Sequence, residues 1–146
     1  MKFNRYIGIP YKENGRDFKG VDCFGLCYLI WKYELGINLY SFTDYVQYDI
    51  HKSDRVHEII HNKIPKVFTI AYESSKPYKA LDILLFYQSS KKDIVNHMGI
   101  YIDNQQFIHS IEDRESMVSR LKGYYESKLY KIIRIKDDES DRGRQI

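Results

Sequence analysis

The spacing of hydrophobic and polar positions changes period once along the chain. From Cys23 to Leu35, apolar residues recur at helical intervals, with Leu26, Leu29, Ile30 and Tyr33 on one stripe. Gly36 is the stop signal for that helix, since glycine adopts the left-handed closing conformation at little cost. The preceding residues, 1–22, are rich in turn formers (Gly8, Pro10, Asn14, Gly15, Gly20) and read as an approach loop. Residues 37–52 are mixed, with Phe42, Tyr45 and Tyr48 at spacings that fit a short helix. A second helix is expected from Ser53, a good N-cap, to about Lys63, with Val56, Ile59 and Ile60 facing one way and Pro65 ending it.

Beyond this point the period becomes two. Leu81–Tyr87 is a short, nearly continuous apolar run, as in a buried strand. Asn96–Ile102 alternates, with His97, Gly99 and Tyr101 on one face and Met98, Ile100 and Ile102 on the other. Asp103-Asn104-Gln105 is a turn, and Gln106–Ile111 is the return strand, carrying Phe107, His109 and Ile111 on one face. Ser116–Leu121 is a strand or a loop, and Tyr130–Ile135 a last strand. Helices first and then an antiparallel sheet predict an α+β fold in a single domain over residues 1–136. Residues 137–146 are charged and lack a hydrophobic stripe, so they are expected to be a mobile tail.

Composition narrows the classes of function. The 146 residues suffice for one domain with a core, and 43% hydrophobic with 29% charged residues is the balance of a water-soluble globular chain. A net charge of +3, carried by dispersed basic residues, does not call for nucleic acid. No phosphate-cradling glycine loop or dinucleotide fingerprint occurs, and no cofactor is expected. No apolar run approaches membrane-spanning length, and Met1–Arg5 leads into no signal-peptide core, so neither membrane insertion nor Sec-type export is expected. The two cysteines, Cys23 and Cys27, are four residues apart on one helix and poorly placed for an unstrained disulfide; Cys27 is expected in the core.

Two patterns suggest chemistry. Cys23 lies at a loop-to-helix junction, where unpaired N–H groups and the helix dipole favour an anion and are expected to make the thiol more acidic. A cysteine nucleophile needs a base, and the base needs a group to hold it. His97 and His109 lie on the two arms of one predicted hairpin; a loop with an odd number of residues puts both on one face, and an even loop separates them. The rival pattern is His57-Glu58-Ile59-Ile60-His61, an H-E-x-x-H string on a predicted helix, where two histidines one turn apart can bind zinc. It lacks an identified third ligand, Glu73 and Glu112 being equally open, so no metal site is assigned.

The blocks Gly8-Ile9-Pro10-Tyr11, Asp22-Cys23-Phe24-Gly25-Leu26, Leu81–Phe86, His97-Met98-Gly99-Ile100-Tyr101-Ile102 and Phe107-Ile108-His109-Ser110 resemble, in order, those of the NlpC-type cell-wall cysteine peptidases. The resemblance spans residues 5–135. It implies a papain-like α+β fold and cleavage of peptidoglycan stem peptides, typically between D-glutamate and the following diamino acid. It further implies Cys23 as nucleophile, His97 as base, His109 as the group orienting His97, Tyr11 beside the cysteine, and Asp22 in recognition of the substrate amine. Two departures stand out: Phe24 replaces a common serine, and Leu81 precedes Asp82 where a glycine is usual. Phe24, with a helix ending in Glu34-Leu35-Gly36-Ile37, is most similar to the branch found in bacteriophage tails, which implies virion delivery and tail-tip proteins as partners. The alternatives are a non-catalytic tail assembly protein, a transferase using the same nucleophile, and the H-E-x-x-H zinc peptidase.

Overall fold

The computed structural model describes residues 3–39, 71–74, 76–88 and 91–135. The expected helix at 53–63, the H-E-x-x-H string and the charged tail lie outside the described residues. A 3-10 turn at Asn4–Tyr6 opens the chain. A two-stranded ribbon follows, β1 (Arg16–Asp17) with β2 (Gly20–Val21), inside the stretch expected to be loop. Then comes α1 (Cys23–Leu35), which has the predicted bounds, with Gly36 at φ 67° as its left-handed cap. The remaining elements are β3 (Ala71–Ser74), β4 (Ile83–Gln88), β5 (Lys91–Tyr101), β6 (Gln106–His109), β7 (Met117–Arg120), the single turn α2 (Tyr124–Ser127) and β8 (Leu129–Ile135). Strands β3 to β8 form one antiparallel sheet in the order β3-β8-β4-β5-β6-β7.

Strand alternation gives this sheet two working faces. Ile83, Leu85, Met98, Ile100, Ile108 and Ile133 pack with α1 in the larger core. Leu84, Phe86, Tyr101, Phe107 and Ile132 form a second core on the other face, with Leu121 and with Tyr125 of α2 against it. The helix is more deeply buried than a single stripe predicts, because Phe24, Cys27 and Trp31 are enclosed as fully as Leu26, Leu29 and Ile30. Phe3, Tyr6 and Ile9 of the N-terminal segment belong to that same core. Tyr33, expected on the stripe, is instead 49% exposed; its ring lies 5.5 Å from that of Phe18 and 5.1 Å from the Arg5 guanidinium. Trp31 Nε1–H donates to the Leu81 carbonyl at 2.9 Å and ties the helix to the start of β4.

Strand boundaries differ from the expectation for local reasons. β5 begins at Lys91, ahead of its apolar alternation, because backbone pairing with β4 carries polar residues into the ladder, and the register shifts between Phe86 and Gln88. β3 escapes the pattern because Ala-Tyr-Glu-Ser shows no clear alternation; it is held by pairing with β8 at one edge of the sheet. Leu81 is not in a strand: it has φ 76°, the region that favours glycine. It holds this conformation with its side chain in the core and its N–H on the Tyr101 carbonyl.

Asp82 and Arg134 lock β8 to the loop before β4. Arg134 donates from Nε to Asp82 Oδ1 and from Nη2 to Oδ2, both at 2.8 Å, and also from Nη2 to the Pro77 carbonyl at 2.9 Å. The Lys79 N–H adds a further donor to Asp82 Oδ2 at 2.8 Å. Both side chains are buried, so removing one partner strands the other's charge. Asp82→Ala is expected to cost about 3–5 kcal/mol in urea unfolding. A loss below about 1 kcal/mol, the scale of a surface pair, would show that the sheet does not depend on this bond.

Candidate active site

Cys23 is the first residue of α1, and its position is set by the residue before it. Asp22 is the N-cap: its Oδ1 accepts from the Gly25 N–H at 2.7 Å and from Arg16 Nη1 at 2.9 Å, and Oδ2 accepts from the Asn14 N–H at 2.8 Å. The approach loop is thereby fastened to the helix start. Gly25 makes this possible, since a Cβ there would lie 1.9 Å from the Gly15 carbonyl oxygen. Asp22, expected to meet a substrate amine, is fully buried here, its carboxylate bonded to three internal donors, one a guanidinium. Phe24 has a matching role, its ring lying 5.1 Å from the Arg16 guanidinium.

The Cys23 thiol is fully buried and accepts hydrogen bonds from the backbone N–H groups of Met98 and Phe24. It therefore meets β5 at the peptide unit that follows His97. Its acidity is opposite to the expectation. Burial pushes the thiol up to about 12, and the Asp22 carboxylate adds to the rise, against the smaller opposing pull of the two N–H groups and Arg16. Burial thus favours the neutral thiol, and a base is called for to ionise it. Cys27 is also fully buried, with its thiol pushed well up by burial, and neither cysteine is in a disulfide.

The two hairpin histidines come together. Pairing of Gly99 with His109, Ile100 with Ile108 and Tyr101 with Phe107 sets odd positions opposite odd positions, so His97 and His109 share a face. They are diagonal neighbours, and His97 Nε2 lies 2.8 Å from His109 Nδ1. Gly99 sits directly opposite His109, and a Cβ on it would lie 2.8 Å from the Phe107 ring and 3.3 Å from His109 Cβ. The bare glycine is what allows the two strands to bring these rings together. His109 Nε2 in turn lies 2.8 Å from Ser119 Oγ on β7. His109 is enclosed by Phe107 and Tyr125, with ring centroids at 4.5 Å and 5.2 Å, and burial lowers its pKa to about 4. It is neutral at physiological pH.

Tyr11 forms a backbone bridge to Val21, two residues before Cys23. With Pro10 it forms one wall of a cleft of about 280 Å³, and Asp113, Arg114 and Glu115 of the β6–β7 loop form the other. Ser116 holds the two walls together, accepting from the Ile9 N–H at 2.8 Å and donating to the Tyr6 carbonyl at 2.5 Å. Sequence reasoning missed Arg16 and Ser119. Asp22 just before a helix is a legible cap signal, but neither the arginine that pairs with it nor a serine on a later strand stands out until the chain is folded.

A helix capped at a buried cysteine, packed on an antiparallel sheet that carries paired histidines, defines a papain-like α+β protein. Residues 8–134 match the NlpC/P60 family, and the chain belongs to that family. Among solved structures it is similar to the NlpC/p60 domain of the peptidoglycan hydrolase SagA, with a TM-score of 0.60 at 18% identity over 90% of this chain and 92% of that one. An NlpC/P60 family protein from Bacillus cereus superposes with a TM-score of 0.61 at 21% identity, covering 89% of this chain and 36% of that one. In sequence, the chain is 27% identical over 127 residues to the murein DD-endopeptidase MepS/murein LD-carboxypeptidase of Escherichia coli K12. That match takes in 87% of this chain and 55% of the relative, so the chain spans about half the length of the curated relatives it matches.

Two pH dependences follow from this geometry. The unfolded chain takes up a proton on His109 near pH 6.5, whereas the folded chain does not until about pH 4. Its contribution to stability is therefore complete above pH 6.5 and is lost as the pH falls through that window, by about 3 kcal/mol at the limit. Urea unfolding between pH 7 and pH 4.5 is expected to weaken more steeply for the wild type than for His109→Gln; equal slopes would mean that His109 is not held neutral by burial. For Cys23, alkylation by iodoacetamide, followed by peptide mass spectrometry, is expected to accelerate up to pH 10 without levelling. A plateau near neutral pH would reveal a resting thiolate.

Proposed function

We propose that this protein is a cysteine peptidase that hydrolyses peptidoglycan stem peptides, with Cys23 as nucleophile, His97 as base and His109 as the group orienting His97. The carrying observation is the 2.8 Å bond between His97 Nε2 and His109 Nδ1, on a strand whose next amide meets the Cys23 thiol. With Nε2 engaged by His109, His97 takes the thiol proton at Nδ1. The thiolate attacks the amide carbonyl, and the tetrahedral oxyanion is held by backbone N–H near Cys23, with Tyr11 O–H as second donor. His97 returns the proton to the leaving amine, and water, activated by His97, hydrolyses the thioester.

A stem peptide carries carboxylates and an amine, which suits a cleft whose wall alternates Asp113, Arg114 and Glu115. The bond assigned is the amide between D-glutamate and the diamino acid. The Escherichia coli relative is named for murein DD-endopeptidase and LD-carboxypeptidase activities, which supports the same polymer as substrate and makes the peptide cross-link the competing bond. The carrier assigned is a bacteriophage tail, with tail-tip proteins as partners, on the resemblance of Phe24 and of Glu34-Leu35-Gly36-Ile37 to that branch.

The test is loss of turbidity of purified peptidoglycan, with released fragments identified by mass spectrometry. Cys23→Ala is expected to abolish lysis, His97→Ala to slow it at least about 100-fold, and His109→Ala to slow it less. A zinc chelator is expected to change nothing. New glutamyl termini identify the assigned bond, and new D-alanyl termini the cross-link. Lysis that survives Cys23→Ala sinks the proposal; lysis blocked by the chelator moves the site to His57 and His61. A folded wild type that releases no fragment from any wall chemotype favours the structural role.

A further inference from the structure

His97, His109 and Ser119 lie on three neighbouring strands in one diagonal line. His97 is on β5, His109 on β6 and Ser119 on β7, and each is offset by two residues from the residue directly opposite its neighbour. His109 pairs with Gly99 and reaches His97; it pairs with Met117 and reaches Ser119. Both contacts are 2.8 Å. The Ser119 hydroxyl has no place in the mechanism above.

A neutral imidazole carries one N–H and one lone pair, so the two bonds to His109 admit two proton arrangements. In the first, His109 Nε2–H donates to Ser119 Oγ, and His109 Nδ1 accepts from His97 Nε2–H. His97 then has its lone pair on Nδ1, where it can receive the thiol proton. In the second, Ser119 Oγ–H donates to His109 Nε2, and His109 Nδ1–H donates to His97 Nε2. A neutral His97 then carries its proton on Nδ1 and has no lone pair there. Only the first arrangement survives protonation of His97, because an imidazolium has N–H on both nitrogens and its Nε2–H needs an acceptor. No proton leaves His109 in this scheme; its tautomer alone decides whether His97 works.

We infer that Ser119 is a positioning residue that holds neutral His109 in the Nε2–H tautomer and thereby keeps His97 competent as a base. This rests on the peptidase mechanism proposed above. Burial of His109 is what gives the serine this leverage. An Nε2–H enclosed beside Phe107 and Tyr125 must find an acceptor or remain unsatisfied, and among the described residues Ser119 Oγ is the oxygen within reach. Among the described residues, the titratable groups in ring or hydrogen-bond contact with His109 are His97 and Tyr125. Neither supplies an acceptor at Nε2, since His97 occupies the Nδ1 side and Tyr125 presents its ring.

Nitrogen-15 NMR of histidine-labelled protein reads the tautomer directly and does not require activity. In the wild type His109 is expected to carry its proton on Nε2; a proton on Nδ1 overturns the inference without touching the assignment of the nucleophile. In Ser119→Ala the population is expected to move toward Nδ1–H, with kcat on a cross-linked muropeptide falling about tenfold, KM unchanged and the acidic limb of the kcat profile displaced. Ser119→Thr keeps the hydroxyl on a strand-favouring side chain and is expected to restore both tautomer and kcat. Wild-type kcat and unchanged tautomer in a folded Ser119→Ala overturn the inference while leaving the peptidase reading intact. A wild type with no turnover but an Nε2–H His109 that shifts in Ser119→Ala sustains the hydrogen-bond order and overturns the peptidase reading instead.

Discussion

The carboxylate of Asp22 is the fixed point on which the site is built. It is buried, it caps α1, and it binds a guanidinium and a loop amide as well as the helix amide. These bonds decide where the approach loop ends and where the helix begins, and Cys23 is the next residue. A buried carboxylate without partners would be far too costly to keep, so Arg16, Asn14 and Gly25 come with it as a set. Phe24 then has a physical role as the surface under Arg16. The charge that holds the helix start is also one reason why the neighbouring thiol resists ionisation.

On the sheet, the geometry is that of diagonal neighbours across an antiparallel ladder. Residues offset by two across adjacent strands are within reach of long side chains and rings. Gly99 removes the obstacle between Phe107 and His109, and the second core keeps those rings dry. The same dryness keeps His109 neutral, so it accepts or donates a hydrogen bond without competing for the proton that His97 is to carry. A hydrophobic face and a polar line thus depend on each other: without the rings His109 would titrate, and without the polar line its nitrogens would be unsatisfied.

Much was legible in the chain. The stripe from Leu26 to Ile30 with Gly36 after it predicts α1 with its observed bounds. The alternation around His97 and the turn at Asp103–Gln105 predict the hairpin, and the odd register brings the two histidines to one face. The ribbon β1–β2 and the edge strand β3 were not legible, because short pairings without apolar alternation carry no periodic signal. Tyr33 was misread because helical spacing identifies a stripe but not what covers it; it lies instead beside Phe18 and Arg5.

Residue types and their local order were enough to determine the α+β class, the helix beginning at Cys23, the hairpin with its two histidines and the family resemblance. These are written in periodicity, turn chemistry and short motifs, all of which act over a few residues. The raised pKa of Cys23, the ties of Asp22 to Arg16 and the approach loop, the passage of a helix-to-sheet bond through Trp31 and Leu81, and the extension of the histidine pair to Ser119 were decided only by the tertiary structure. Each depends on burial or on a contact between segments far apart in sequence. Local spacing carries no information about which charge lies beside which thiol, or which hydroxyl closes a line begun two strands away.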